Sequence, residues 1–151
     1  MLRKLIFALA LMATPAAAQS VIEDCSGWQA SARNIPEPWE AHIRSFANGA
    51  IRVALMDTIE PAAGAFYLMV ITPPFDEMGN PVCALIGADQ QMGLAGLDFG
   101  QMQASYDPAS GLTLRLPATR FAPSTGGFDP AILAVTINQA TGQIFPRFEI
   151  P

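Results

Sequence analysis

The feature that most constrains the fold of this chain is a change in hydrophobic period near Ala50. Upstream of it, apolar residues recur at i, i+4 and i+7, the spacing of one face of a helix. That stripe consists of Trp39, Ile43 and Phe46. Glu40 and Arg44 form an i,i+4 pair in the favourable order, and Asn48-Gly49 supplies a left-handed helix end. The sequence therefore predicts one short N-terminal helix over about residues 38–47.

Downstream of Ala50, apolar and polar residues alternate, or short apolar runs stand between turn signals, as in β-strands. The predicted strands cover approximately residues 50–56, 65–72, 82–87, 94–106, 112–116, 132–138 and 143–150. Residues 107–111 and 138–142 each contain an Asx residue, a hydroxyl residue and a glycine, as is typical of bulged hairpin loops. The chain is predicted to be all-β, with six to seven antiparallel strands. Such a meander closes as a β-sandwich or as a small, partly open barrel, and the sequence favours neither.

Proline and glycine weaken three parts of this pattern. Pro73-Pro74 is expected to end the second strand, because proline cannot donate a hydrogen bond to a neighbouring strand. The fourth predicted strand is interrupted by glycines, so we expect it to be bent or bulged. The glycines in and before it are Gly87, Gly93, Gly96 and Gly100. Residues 122–130 contain both proline and glycine and are predicted to form a loop.

The first residues have the three-part layout of a secretory signal peptide. A basic tip precedes an apolar run over residues 5–13, and small side chains follow. The run is too short to span a bilayer, so no membrane anchor is expected. We predict cleavage between Ala18 and Gln19, which makes residues 1–18 the signal peptide and residues 19–151 a single β domain. The protein is therefore expected to be periplasmic or secreted.

The charge of the chain limits its partners. The full sequence carries a net charge of −5 at pH 7, and cleavage makes the mature chain more acidic because it removes Arg3 and Lys4. A chain without a basic patch binds phosphates poorly, so neither nucleic acid nor an anionic lipid surface is expected as a partner. The expected partner is therefore an unknown envelope protein or a small molecule.

The two cysteines, Cys25 and Cys83, are predicted to form one disulfide, since the chain is exported and has no other cysteine. The bridge would tie the mature N-terminus to the sheet. A redox role is expected to use two cysteines close together, as in Cys-x-x-Cys, and the sequence has no such pair. The disulfide is therefore assigned a structural role.

No motif in the sequence specifies a reaction. The single histidine, His42, lies beside the apolar stripe of the predicted helix, and no Gly-x-Ser-x-Gly elbow accompanies it. Asp76, Glu77 and Asn80 could supply oxygen ligands to calcium, but they lack the alternating spacing of a calcium loop and are interpreted as turn residues. The methionines lack the spacing of a copper site and are interpreted as core or loop residues. We predict no catalytic residue, no cofactor and no metal site.

Several stretches of the mature chain carry a family resemblance. They are Ser45 to Tyr67, Pro73-Pro74, Cys83, and the segment from Gly96-Leu97-Asp98-Phe99 to Tyr106-Asp107. These stretches resemble small uncharacterised exported proteins of alphaproteobacteria, a family with no assigned function. The resemblance implies a periplasmic location and transfers no functional residue.

Three functions are compatible with this sequence. The first is a non-catalytic periplasmic module that binds an envelope component through loops on a rigid β scaffold. The second is a carrier that holds a small apolar ligand inside a barrel, suggested by the continuously apolar strand at residues 65–71. The third is an unrecognised hydrolase, in which His42 or a carboxylate would lie in a cleft with a shifted pKa. The binding module is the preferred hypothesis.

Overall fold

The computed structural model describes residues 21–89 and 92–151. The predicted signal peptide, residues 1–18, and its cleavage site between Ala18 and Gln19 lie outside the described residues. The described part of the chain is mainly antiparallel β, with ten strands and one short α-helix. This confirms the all-β prediction, although the number of strands exceeds the six or seven expected.

The strands form two five-stranded antiparallel sheets. Their bounds are β1 (Val21–Asp24), β2 (Ile43–Phe46), β3 (Ile51–Asp57), β4 (Phe66–Phe75), β5 (Pro81–Gly87), β6 (Gly96–Leu97), β7 (Gln103–Asp107), β8 (Gly111–Ala122), β9 (Gly127–Asn138) and β10 (Gln143–Glu149), and the helix is α1 (Trp39–His42). Sheet A has the order β1-β5-β4-β3-β2. Sheet B has the order β10-β9-β8-β6, and β7 also pairs with β8. The architecture is a sandwich and not a closed barrel.

The main hydrophobic core lies between the two sheets. Alternate side chains of the central strands point to the same face of their sheet, so each sheet contributes one apolar face to this core. Its completely buried members are Ile51, Leu68, Val70, Ile86, Leu94, Leu114, Leu116, Leu133, Val135 and Ile137. Burying one such side chain contributes about 1.5–3 kcal/mol, so this inter-sheet core is the principal source of stability.

The opposite face of sheet A carries a second apolar cluster, which the N-terminal segment covers. Its buried members are Ala54, Met56, Tyr67, Met69 and Leu85. Residues 25–42, called the cap segment from here on, supply Cys25, Ala30 and Ile35 to the same cluster. The predicted disulfide is present: it joins Cys25 to Cys83 in β5, with the two Cα atoms 5.6 Å apart. The protein therefore has a third layer, formed by the cap segment on sheet A.

Two glycines make room for the Tyr67 ring in this cluster. A Cβ atom at Gly93 would lie 2.7 Å from the ring and 2.5 Å from the carbonyl oxygen of Phe66. A Cβ atom at Gly87 would lie 3.1 Å from the same ring and 2.8 Å from the carbonyl oxygen of Met92. These glycines therefore serve the packing of a buried aromatic side chain.

The predicted helix over residues 38–47 is wrong in its second half. The structure ends α1 at His42, and the next four residues form β2, an edge strand of sheet A paired with β3. The pairing satisfies the backbone groups of β2 that face β3, and Phe46 packs against the inter-sheet core. Ala47, Asn48 and Gly49 follow with positive φ values of 52°, 55° and 88°, which turn the chain back into β3. A four-residue edge strand is too short to reveal its own period, so the helical spacing was misleading.

The predicted i,i+4 ion pair between Glu40 and Arg44 is also replaced by other contacts. The Arg44 Nη1 atom donates hydrogen bonds to the carbonyl oxygens of Glu40, Ala41 and Ile43, at 3.1, 3.3 and 3.0 Å. Its guanidinium group stacks on the Phe99 ring, 5.4 Å from the centroid. Arg44 therefore satisfies the exposed carbonyl groups at the end of α1.

The predicted bent strand over residues 94–106 is two strands separated by a 3₁₀ turn. The turn covers Phe99–Gln101, between β6 and β7, and the Asp98 carboxylate accepts a hydrogen bond from the Gln101 amide at 3.2 Å. Phe99 is buried in the inter-sheet core, which requires the chain to leave the sheet at this point. This division, together with β1 and β2, accounts for the additional strands.

The strands extend further than predicted in two regions, Pro73-Pro74 and residues 122–130. In β4 the strand continues through Pro73-Pro74 to Phe75, with a shift of register after Thr72, so the prolines interrupt the pairing without ending it. The loop predicted over residues 122–130 is reduced to the turn 123–126, because β8 and β9 pair along their whole length up to Ala122 and Gly127. Cross-strand pairing therefore extends a hairpin that local composition predicts to be a loop.

Candidate functional site

His42, the only histidine, serves the local structure of the cap segment. Its Nδ1 atom lies 3.0 Å from the carbonyl oxygen of Pro36 and 3.1 Å from that of Pro38. Carbonyl oxygens only accept hydrogen bonds, so Nδ1 carries the hydrogen and donates a hydrogen bond shared between them. The imidazole thereby fixes α1 to the extended residues before it.

The carboxylate of Asp76 is hydrogen-bonded within its own turn, in agreement with its interpretation as a turn residue. Its oxygens accept hydrogen bonds from the side-chain amide of Asn80 at 3.0 Å and from the backbone amides of Asn80 and Met78 at 2.8 Å. The Asn80 side chain and backbone lower the pKa of Asp76 below its usual value. Within residues 21–89 and 92–151, no three His, Cys, Asp or Glu side chains are grouped in a way that could hold a metal ion.

An exposed apolar surface lies on the cap segment and the loop beside it. We define the cap surface as Ile35, Trp39, Ile43 and Ile59. The side chain of Trp39 is 49% exposed, that of Ile43 36% and that of Ile59 75%. These values are high for large apolar side chains that lie close together, and such patches typically mark interaction sites.

Two adjoining grooves run along the cap surface. The first groove has a volume of about 340 Å³, and its lining includes Arg33, Ile35, Glu37, Trp39, Asp57 and Ile59. The second groove has a volume of about 190 Å³, and its lining includes Ile35, Ile43, Arg52, Ala54, Met69 and Ile71. Ile35 lines both grooves, so they adjoin at this side chain. The cap segment does not cover this part of sheet A completely, which leaves an apolar concavity.

Ile59 is held in an unfavourable backbone conformation at the rim of the first groove. Its φ is +69°, in the left-handed region that β-branched residues rarely adopt. The Ile59 amide donates to the Asp57 carboxylate at 2.8 Å, and the Thr58 hydroxyl donates to the carbonyl oxygens of Glu60 and Ala65, both at 3.1 Å. These hydrogen bonds maintain a strained residue whose side chain points largely into solvent, a combination that is typical of functional sites.

Charged side chains of both signs lie at the cap surface. Glu37 and Asp57 line the first groove, and Glu40 and Glu60 are the sequence neighbours of Trp39 and Ile59. The cationic side chains in the groove linings are Arg33 and Arg52. The linings of the two grooves therefore hold two acidic and two basic side chains.

Comparison of the chain with protein-family models, curated proteins and solved structures gave no match. Its function must therefore be argued from the surface described above. In the described ranges, no helix has the length and apolar character needed to cross a membrane.

The sequence analysis did not identify the cap surface. The sequence predicts that Trp39 and Ile43 share the apolar stripe of a helix, and it makes no prediction for Ile59. Two signals were present: a tryptophan in a segment with prolines at positions 36 and 38, and a β-branched residue two positions after Asp57, where a turn requires positive φ. Neither signal reveals exposure, which depends on how the cap segment lies on sheet A.

Proposed function

We propose that this protein is a non-catalytic binding module that acts outside the cytoplasm and binds a protein partner through the cap surface. The observation that carries the proposal is that two exposed apolar side chains, Trp39 and Ile59, line one groove of about 340 Å³. Tryptophan is among the residues that contribute most to protein–protein interfaces, because it presents a large rigid surface. Residues that protrude beside a concavity can anchor a partner in this way.

The surface is supported by a rigid base, which favours binding because little conformational entropy is lost. The disulfide from Cys25 to Cys83 fixes one end of the cap segment to β5. The hydrogen bonds of His42 to Pro36 and Pro38 hold the helix that carries Trp39. The cap surface is therefore preorganised on sheet A.

A location outside the cytoplasm is supported by the signal-like N-terminus and by the disulfide. Structural disulfides persist in oxidising compartments such as the periplasm, and they are rare in the cytosol. The charge of the chain agrees with a protein partner and disfavours polyanionic ones.

Neither alternative function is favoured by a specific feature of the described residues. The apolar carrier was based on a barrel interior, whereas side chains such as Leu68, Leu116 and Leu133 fill the space between the two sheets. The hydrolase was based on His42 or a carboxylate with a shifted pKa in a cleft. The Nδ1 atom of His42 is hydrogen-bonded to backbone carbonyl groups. Hydrogen bonds from residues close in sequence lower the pKa of Asp24, Asp76 and Asp107.

The proposal is tested by affinity capture from the envelope fraction of the native organism, with the mature chain as bait. We compare the wild type with Trp39→Ala and with Trp28→Ala, a matched control because Trp28 is 55% exposed on the same cap segment and lines neither groove. A partner that depends on the cap surface is retained by the wild type and by Trp28→Ala. It binds Trp39→Ala at least about thirtyfold more weakly, as expected for a hot-spot residue.

Two results would contradict the proposal. One is equal retention of every captured protein by Trp39→Ala and the wild type. The other is recovery of nothing above the level of an unrelated exported bait. Thermal unfolding of both variants shows whether each retains the fold, so that a loss of binding can be assigned to the surface.

A further inference from the structure

The edge of sheet B at β7 is open to strand addition. β7 pairs with β8 on one side, and no strand of the described residues pairs with its other side. Every residue of β7 is exposed. We infer that two copies of this chain associate through β7, which pairs antiparallel with its counterpart and joins the two B sheets into one. This inference goes beyond the proposed function, because no residue of the cap surface lies in β7.

The edge strands β1, β2 and β10 carry features that oppose strand addition, whereas β7 does not. Prolines, charged side chains and short length are the usual means by which edge strands avoid pairing. β1 and β2 have four residues each; the first contains Glu23 and Asp24, and the second contains Arg44. β10 contains Pro146 and two charged residues. β7 has neither proline nor a basic residue, and its one charged residue, Asp107, stands at its end.

Tyr106 gives the β7 edge an aromatic side chain that the fold leaves uncovered. Its cross-strand partner, Leu112, belongs to the inter-sheet core and is 7% exposed. Residues directly opposite each other point to the same face of a sheet, so Tyr106 lies on the core-facing side of sheet B. Tyr106 is nevertheless 69% exposed. A further strand beside β7 would bury part of this ring, which favours association.

The sequence of β7 indicates that this further strand is a second copy of β7 itself. It reads Gln103-Ala104-Ser105-Tyr106-Asp107. When Ser105 lies opposite Ser105 of the second copy, Tyr106 lies opposite Ala104, and Gln103 lies opposite Asp107. The small alanine leaves room for the tyrosine ring, and the two rings are diagonal neighbours within reach of each other. The Gln103 amide can donate a hydrogen bond to the Asp107 carboxylate. The same surface thus serves both copies, as a two-fold dimer requires.

The acidic charge of the chain permits this pairing. The net charge is −5, yet only Asp107 in β7 is charged. In the antiparallel register, the two copies of Asp107 are displaced by about four residues, or about 13 Å, along the strands. This distance exceeds the Debye length of about 8 Å at physiological ionic strength, so their repulsion is largely screened. Because the chains as a whole repel each other, dimerisation should strengthen as the salt concentration rises.

Sedimentation velocity of the mature chain, residues 19–151, tests the association. The average mass should rise towards twice that of one chain between about 1 μM and 1 mM, since one pair of short strands forms a small interface. Ser105→Lys places two ammonium groups opposite each other and should weaken association at least about tenfold. Gln143→Lys adds the same charge to β10, at the other edge of sheet B, and should leave association unchanged.

Cysteine cross-linking tests the register. Ser105→Cys brings the two new thiols together on residues whose Cα atoms are about 4.5–5.5 Å apart, a separation that a disulfide can span. Oxidised glutathione should therefore convert this variant into a covalent dimer with release of reduced glutathione, seen by non-reducing electrophoresis. In Ala104→Cys the two thiols occupy diagonal positions about 7–8 Å apart, so cross-linking should be at least about tenfold slower.

Three results would overturn the inference. They are the mass of a single chain at every concentration, association that Ser105→Lys leaves unchanged, and equal cross-linking of the two cysteine variants. Melting temperatures show that each variant retains the fold. None of these results bears on the proposed function, which the capture experiment with Trp39→Ala tests separately.

Discussion

The inter-sheet core and the cap layer are built from the same kinds of residue but differ in how completely they are buried. Between the sheets, side chains such as Leu114, Leu116 and Leu133 are completely inaccessible to solvent. In the cap segment, neither the 3₁₀ turns nor α1 contains a buried residue. The cap layer is instead attached by one disulfide and by half-buried side chains such as Ile35.

The inter-sheet core therefore stabilises the fold, whereas the cap layer carries the surface proposed for recognition. A β-sandwich core supplies enough apolar burial to fold without further contributions from its surface. The cap layer can therefore leave apolar side chains exposed and keep Ile59 in a left-handed conformation, each at some cost in stability. The four predictions below test this division, beginning with the largest expected change in stability.

Removing the disulfide should have the largest effect. Cys25 and Cys83 are 58 residues apart, and closing a loop of this length contributes about 4 kcal/mol in the chain-entropy model. The Cys25→Ala/Cys83→Ala variant should lose a comparable free energy of unfolding, measured by urea denaturation. A loss below about 1 kcal/mol would mean that the contacts of the cap layer hold it without the covalent bond.

A matched pair of truncations compares the two layers directly. Leu116→Ala should reduce the free energy of unfolding by about 3 kcal/mol, because it leaves a cavity in a completely buried site. Ile35→Ala removes a half-buried side chain of the cap segment and should cost about 1 kcal/mol. Equal losses in the two variants would show that the cap layer is part of one continuous core.

Ile59→Asn should increase stability while weakening binding. Asparagine tolerates positive φ better than a β-branched residue, so the variant should gain about 0.5–1 kcal/mol in thermal or chemical unfolding. Ile59→Val keeps the β-branch and should show no gain. If Ile59→Asn is less stable than the wild type, the side chain contributes packing that its 75% exposure does not suggest.

Tyr67, beneath the cap layer, should make stability sensitive to alkaline pH. Burial raises the pKa of Tyr67 above its usual value of 10.0, and the charges of Glu23 and Asp89 raise it further. Because the pKa is higher in the folded state, this contribution is fully present below pH 10.0 and is lost as the pH rises through the folded-state pKa. The melting temperature should therefore begin to fall as the pH rises above 10.0.

The control for this last effect is the other tyrosine. Tyr67→Phe should show a smaller alkaline decrease in melting temperature, whereas Tyr106→Phe, altered at an exposed residue, should behave like the wild type. This decrease in melting temperature is the smallest of the four expected effects, since it appears only at high pH. Identical profiles for the wild type and Tyr67→Phe would show that the phenol ionises without cost beneath the cap.

Local chemistry made much of the fold predictable. The Asx and glycine residues at 107–111 and 138–142 form the two expected hairpin turns, in which the carboxylate of Asp107 and the amide of Asn138 accept backbone hydrogen bonds. Hydrogen bonds from Ala109 and Ser110 also lower the pKa of Asp107. These interactions involve residues close in sequence, so the sequence alone reveals them.

The errors arose where pairing with a neighbouring strand decided the outcome. Ile43 and Phe46 fit a helical stripe, yet pairing with β3 places them on an edge strand. Residues 122–130 have the composition of a loop, yet Phe121 and Phe128 pair across a hairpin, with their rings 5.9 Å apart. Hydrogen bonding between strands supplies free energy that no local pattern contains.

The sequence by itself determined the β class, the turn positions and the partner of each cysteine, because these depend on residue period, on local hydrogen bonding and on there being two cysteines. Only the tertiary structure decided that residues 25–42 cover sheet A incompletely and that Trp39 and Ile59 remain exposed beside a groove. Exposure is a property of how distant segments cover one another, so the same apolar side chain can be core or binding surface. In this protein, the layer packed against the sandwich makes that difference.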